Sequence, residues 1–319
     1  MDPYVLEHHR PKLLVWQLTP AAEDIEANGK VFSTHECLLT IDSIVRTAKP
    51  IVVLTGHDVV HRPDLFSIIE YGVALGLKMI VEVRPSEVDD QLIRKFSSFG
   101  PRIFRVIVDG CIKEDQNTRY QDSDDFRALE QTVQSIRNAG LEVHLGTTVL
   151  QPDVRQLAFD HDFALTRSAA GFYCHFCFDN PEEAETGPKE IEEMIAAVAT
   201  MKGYSPRNMY FSPQCIRYEH RQAAWSGTEE DNGAPARAEW NHWCLGGKTF
   251  GYISATGDVQ ICAGIGLDCG NLREHRYEFR SIWYNSDVMK RVREQERSCT
   301  ETRELFLGTD EPEPTKAKG

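Results

Sequence analysis

The chain has 319 residues, 41% hydrophobic and 26% charged, enough apolar material for one large domain or a large domain with a small companion. Its net charge of −14 at pH 7 excludes general binding to nucleic acid or to anionic membranes, both of which require basic surface. No stretch reaches the roughly 18 apolar residues of a membrane span.

The N-terminus, "MDPYVLEHHRPK", lacks the basic-then-apolar layout of a secretory signal, so a cytoplasmic chain is expected. In that setting nine cysteines read as free thiols or metal ligands rather than a disulfide framework.

In chain order, "LLVWQL" (13–18) reads as a strand that runs into an acidic loop. A helix over 34–48 follows, opened by a Ser33-Thr34-His35-Glu36 capping box. "IVVLT" (51–55) is the next strand, and "RPDLFSIIEYGVALG" is a helix with its proline in the first turn and Gly76 near its end. "KMIVEV" (78–83) precedes a helix over 87–98, and "IFRVIVD" (103–109) precedes one over 124–139. "EVHLGTTVL" (142–150) and "GFYCHFCF" (171–178) complete six strands, the last followed by a helix over 188–202. After a polar, punctuated segment, "TFGYISATGDVQIC" gives two short strands around a Thr256-Gly257-Asp258 turn. One amphipathic helix then covers 281–296, and residues 308–319 read as disordered.

Repeating strand-helix units predict parallel strands with right-handed crossovers. Six of them suit a partial or full α/β barrel better than an open Rossmann sheet, and the expected fold class is α/β, a partial TIM-type (β/α)6 barrel. No GxGxxG follows the first strand, which counts against dinucleotide binding. Chemistry in such barrels sits at the carboxyl ends of strands. Those positions are Thr19, Thr55 to Asp58, Glu82 with Arg84, Asp109, Thr147 with Thr148, and Cys174 to Cys177.

Three collinear segments resemble a known family: W-x-L-T-x-A at Trp16–Ala21, T-G-x-D at Thr55–Asp58 with the helix after it, and "VIVDG" (106–110) leading to Arg119. Together they are similar to radical S-adenosylmethionine enzymes with a C-terminal SPASM or twitch domain, the branch that matures tetrapyrroles and peptides. The resemblance implies a barrel over 1–204, a linker over 205–243, a SPASM/twitch-like subdomain over 244–307 and a tail over 308–319. It also implies three loop cysteines holding a [4Fe–4S] cluster, because thiolates are the ligands such clusters need.

Here those three positions fall at Ala22, Glu26 and Gly29, none of them a cysteine. The family's Gly-Gly-Glu-Pro turn, which receives the amino group of the cofactor, reads Gly56-His57-Asp58-Val59. No radical-SAM cluster is therefore expected, and S-adenosylmethionine binding is left open. By the same resemblance Gly56, His57, Asp58, Glu82, Arg84, Arg119, Thr147 and Thr148 are the cofactor-binding candidates. The acidic loop residues Glu23, Asp24 and Glu26 could instead join His57 and Asp58 around a metal, or simply be a solvated acidic loop.

Cys244, Gly257 and Cys262 match the opening of the SPASM pattern, and Cys299 follows a family-like "GN…IW" stretch, but the later cysteines are missing. A two-cluster domain is excluded. Either one auxiliary iron–sulfur cluster is held by Cys244, Cys262 and Cys299, with Cys269 as a further candidate, or these cysteines are now packing residues. The expected function is a degenerate radical-SAM/SPASM-like binding or scaffold protein, partnered by an active paralogue, a peptide or a tetrapyrrole-like ligand. The alternative is an enzyme that binds S-adenosylmethionine or another small molecule for non-radical chemistry, or that uses one auxiliary cluster.

Overall fold

The computed structural model describes residues 8–20, 30–99, 103–109, 124–149, 159–160, 162–164, 166–176, 209–212, 217–218, 240–241, 245–263 and 267–295. The expected helix over 188–202, the tail, and Ala22, Glu26, Gly29, Arg119, Cys177, Cys244 and Cys299 lie outside the described residues.

The six apolar runs all form strands: β1 (Leu13–Thr19), β2 (Ile51–Gly56), β3 (Lys78–Val83), β4 (Ile103–Ile107), β5 (Glu142–Val149) and β6 (Gly171–Phe176). Each pairs in parallel with the next. Between them run α1 (Thr34–Thr47), α2 (Leu65–Ala74), α3 (Asp90–Phe99) and α4 (Asp124–Asn138). Because strand order follows chain order, right-handed crossovers put these helices on one face of the sheet. That face is the core: Leu14, Trp16 and Leu18 alternate out of β1 toward the helices, and Phe96 of α3 meets Phe104 of β4 at 4.4 Å.

The capping box is present. Ser33 N–H donates to Glu36 Oε2 at 2.8 Å, and Glu36 N–H donates to Ser33 Oγ at 3.4 Å. Pro63 stands ahead of the α2 N-cap, Asp64, rather than inside the first turn. α3 starts at Asp90, not 87, because Pro85–Glu87 is taken up by a 3-10 turn.

The sheet continues past both ends of the barrel unit. On one side β7 (Met209–Ser212) pairs in parallel with β6. On the other β10 (Phe250–Ile253) pairs in parallel with β1, then β11 (Asp258–Gln260) and β12 (Asp268–Asn271) follow antiparallel. β8 (Arg217–Tyr218) and β9 (Trp240–Asn241) form a separate two-stranded sheet. Among the described residues the larger sheet has ten strands and stays open, with β7 and β12 at its edges, so the (β/α)6 unit is a partial barrel. The single helix expected over 281–296 is two, α5 (Phe279–Asn285) and α6 (Asp287–Arg293), broken at an extended Ser286. No helix among the described residues is long and apolar enough to cross a membrane.

Candidate functional site

The carboxyl end of β1 and that of β2 meet at a close approach. Thr19 Oγ1 donates to the His57 carbonyl at 2.7 Å. A Cβ on Gly56 would lie 2.3 Å from Thr19 Oγ1, and its φ of +135° is one that side chains disfavour, so only glycine fits there. Asp58 follows in the left-handed region, with φ 56°, and its Oδ1 lies 2.5 Å from His61 Nδ1. Thr19, His57, Asp58 and His61 edge a cavity of about 690 Å³ whose other walls include Phe32, Ser33 and Arg62.

Arg62 ties that cavity together. Its Nη1 donates to the Leu18 carbonyl and its Nη2 to the Phe32 carbonyl, each at 2.6 Å. The two ends of the loop between β1 and α1 are thus held by one buried guanidinium. Asp64 balances the charge, accepting from Arg62 Nε at 2.6 Å and from Thr34 Oγ1 at 2.6 Å. Burial opposes charge on Asp64, yet these hydrogen bonds outweigh it and hold the carboxyl below its ordinary range.

A second arginine secures the loop's exit from the far end of the chain. Arg273, in the turn after β12, donates to the Lys30 carbonyl at 2.6 Å and to Glu36 Oε1 at 2.6 Å. The Arg273 hydrogen bond holds Glu36 well below the usual carboxylate range. Phe32 lies beneath that guanidinium at 4.7 Å and fills the space left by Gly257, whose Cβ would stand 2.3 Å from the Phe32 ring.

The sheet face opposite the helices carries a feature that the sequence pattern did not expose. Gln17 pairs with Thr55, Glu82 with Arg105, Arg105 with His144, and His144 with Gly171. Thr55 Oγ1 bridges the middle by donating to Glu82 Oε1 at 2.7 Å. One cross-sheet row is therefore polar over five consecutive strands, where barrel interiors are usually filled by branched apolar side chains. Arg105 Nη1 donates to Glu82 Oε2 at 3.1 Å, and Tyr252 Oη donates to Gln17 Oε1 at 2.6 Å. Burial, and then the charge on Glu82, push the Tyr252 phenol up to about 12. Gln17, Arg105, His144, Tyr173 and Tyr252 were not among the candidates. The available signal was an ionisable residue in mid-strand, Arg105 in "IFRVI" and His144 in "EVHLG".

His57 and Asp58 line the cavity, Gly56 precedes them at the end of β2 without lining it, and Glu82 lies in the polar row. Arg84 is exposed and engages Glu87 at 3.4 Å on its own 3-10 turn. Thr148 lies on the face of the polar row and its N–H donates to Asp109 Oδ1 at 2.5 Å, whereas Thr147 alternates to the helix side and is buried. Cys262 and Cys269 are buried in the hydrophobic core, and burial pushes the Cys269 thiol up to about 12.

No family model matches the chain. A protein of Methanosarcina barkeri named AdoMet-dependent heme synthase is 25% identical over 308 residues, covering 90% of this chain and 86% of that relative. A protein of the same name from Oleidesulfovibrio alaskensis is 26% identical over 324 residues, covering 92% and 80%. Among solved structures, Streptococcus suis SuiB superposes with a TM-score of 0.60 at 11% identity, over 90% of this chain and 68% of SuiB. Its relatives and its fold are of the radical SAM/SPASM type.

The residues of this chain do not fit the loop cluster that the resemblance implies. Ala22 and Gly29 carry no ligand atom, and one carboxylate at Glu26 cannot replace three thiolates. Among the described residues no three of His, Cys, Asp or Glu are grouped to hold a metal ion. The described cysteine nearest in sequence, Cys37, is buried under Arg62, and burial pushes its thiol up to about 12.

Proposed function

We propose that this chain is a radical-SAM/SPASM-type protein that works without the radical-generating cluster, as a binding partner in the maturation of a tetrapyrrole or a peptide. The observation that carries the reading is the β1–α1 loop: it has no thiolate, and its ends are fastened by Arg62 and Arg273. The pathway class is supported by relatives named AdoMet-dependent heme synthase and by a structure of SuiB bound to its precursor peptide SuiA. In this reading the cavity beside Gly56, His57 and Asp58 and the row through Glu82 receive a small ligand, and the protein acts in the cytoplasm beside an active paralogue.

The polar row favours a second reading, an enzyme whose non-radical chemistry takes place on the inner face. A row of partly buried polar side chains costs stability, and proteins retain such rows chiefly where a ligand uses them. S-adenosylmethionine is one candidate ligand, since SuiB has also been solved with it bound.

Anaerobic purification followed by reconstitution with iron and sulfide tests the first reading. The expected protein carries no reducible cluster and releases no 5′-deoxyadenosine from S-adenosylmethionine under a strong reductant. About four irons per chain together with cofactor cleavage would overturn it. Iron that binds without cleavage and is lost in Cys244→Ala or Cys299→Ala would instead assign one auxiliary cluster to the C-terminal cysteines.

A further inference from the structure

We propose that Tyr173 is the proton-transfer residue of the barrel's inner face, working through His144 and Glu142 on ligands that carry an acidic O–H or an activated C–H group. The proposal rests on the reading above that a small molecule occupies this face.

Tyr173 Oη lies 3.2 Å from His144 Nδ1, and His144 Nε2 lies 2.7 Å from Glu142 Oε1. A carboxylate only accepts, so the neutral ring carries its proton on Nε2 and leaves Nδ1 to accept from the Tyr173 hydroxyl. The three groups form one line from the inner face to a half-exposed carboxylate, along which a single proton can pass. This is the order of nucleophile, base and orienting acid in hydrolase triads, with a phenol as the outer group. The charged and titratable groups facing His144 are Glu142 on β5, Arg105 on β4 and Tyr173 on β6, with Glu82 of β3 behind Arg105. Burial acts most strongly and lowers the pKa of His144, while Glu142 opposes and Arg105 adds to it. The imidazole therefore rests neutral, able to take a proton.

Two further details suit the same step. The Arg105 guanidinium stands 3.9 Å over the Tyr173 ring, and its buried Nε has no hydrogen-bond partner among the described residues. The guanidinium's positive charge favours an anion formed beside that ring. Gly171 is the register partner of His144, and a Cβ there would come within 3.2 Å of Nδ1, the nitrogen that must accept.

In the step, the ligand's X–H bond breaks and its electron pair stays on X. The proton goes to Tyr173 Oη as the tyrosine's own proton passes to His144 Nδ1. The imidazolium then pairs with Glu142, and the positive charge of the Arg105 guanidinium beside the Tyr173 ring offsets the charge on X. No oxidant or reductant is needed, and the reverse sequence delivers a proton.

Nuclear magnetic resonance of the full chain, labelled at histidine nitrogens and tyrosine Cζ, tests the relay without a ligand. The expected wild-type protein holds neutral His144 as the Nε2–H tautomer and takes up its second proton at lower pH than an ordinary histidine. Tyr173→Phe shifts the His144 Nδ1 signal with the fold intact. Glu142→Gln lowers the His144 midpoint further, by about one pH unit, or tenfold in proton affinity. His144→Gln lowers the ionisation midpoint of Tyr173, because an amide can donate to the phenolate where the neutral imidazole only accepts from the phenol. An Nδ1–H tautomer in the wild-type protein, or a Tyr173 midpoint indifferent to His144→Gln, would overturn the proposal. The tautomer decides even where His144→Gln does not fold. These signals involve neither iron nor cofactor cleavage, so failure of the relay is distinguishable from failure of the reading on which it rests.

Discussion

Replacing Arg62 with methionine keeps most of the side chain's length and removes its charge and all five donors. In the folded protein that side chain is 8% exposed and its partner Asp64 is 20% exposed. The substitution strips Asp64 of its cation and leaves the Leu18 and Phe32 carbonyls without their donor. Breaking a buried pair by deleting one partner costs about 3–5 kcal/mol, much of it the stranded charge. Each orphaned carbonyl adds about 1 kcal/mol where water cannot reach it. Partial exposure of Asp64 offsets some of this, so a loss of about 4 kcal/mol is expected, read as the shift of the urea midpoint multiplied by an unchanged slope. Asp64→Asn should cost less, about 2 kcal/mol, because Arg62 keeps its two carbonyls. The double variant should recover about 2 kcal/mol relative to the sum of the singles, since no charge is then stranded. A loss below about 1 kcal/mol in Arg62→Met, or strict additivity in the cycle, would refute the claim that this pair fastens the loop.

Gly56→Ala places a methyl 2.3 Å from Thr19 Oγ1 at φ +135°, and should cost about 1–3 kcal/mol of thermal or urea stability; a neutral variant would mean the two strand ends do not meet as described. Burial, with the positive charges of Arg293 and Lys248, lowers the His9 pKa to about 4. The unfolded chain then takes up that proton first as pH falls through about 6.5, so the contribution is complete above that pH and is lost progressively down to about 4. His9 is only half-buried, so the loss is discounted to about 1–2 kcal/mol, and urea melts of His9→Gln should show correspondingly weaker pH dependence between these limits. Cys37 and Cys269, both buried with thiols pushed up to about 12, should resist iodoacetamide at pH 8 until the chain unfolds, as mass spectrometry of the native protein would show.

The strand-helix alternation was readable because each apolar run is short and each helix carries a local start signal, such as Ser33 and Glu36 before α1. Where boundaries moved, a local competitor had won. Glu87 folds back on Arg84 N–H at 2.8 Å and closes a 3-10 turn ahead of α3. Asn285-Ser286-Asp287 interrupts an amphipathic stretch whose period alone suggested one helix. β12, "DCGN", has no strand pattern and exists because β11 offers it a partner, with Asn271 Nδ2 donating to Asp258 Oδ1 at 2.7 Å. The rim residues Gly56 to Asp58 could be placed from strand ends alone. The polar row could not, because Glu82, Arg105 and His144 are far apart in sequence and only parallel register lays them side by side.

Register also explains why the C-terminal part of the chain is tied to the site irrespective of any cluster there. β10 pairs Tyr252 with Val15 and delivers its hydroxyl to Gln17, so the polar row begins on a strand from the far end of the sequence. The turn after β12 supplies Arg273, and Gly257 yields the space for Phe32. Deleting this segment would remove a wall of the inner face and the anchor of the β1–α1 loop together. Its buried cysteines belong to the same core that sets those side chains. Packing alone is therefore a sufficient reason for them, and iron bound through Cys244 or Cys299 would be a second role added to a structural one.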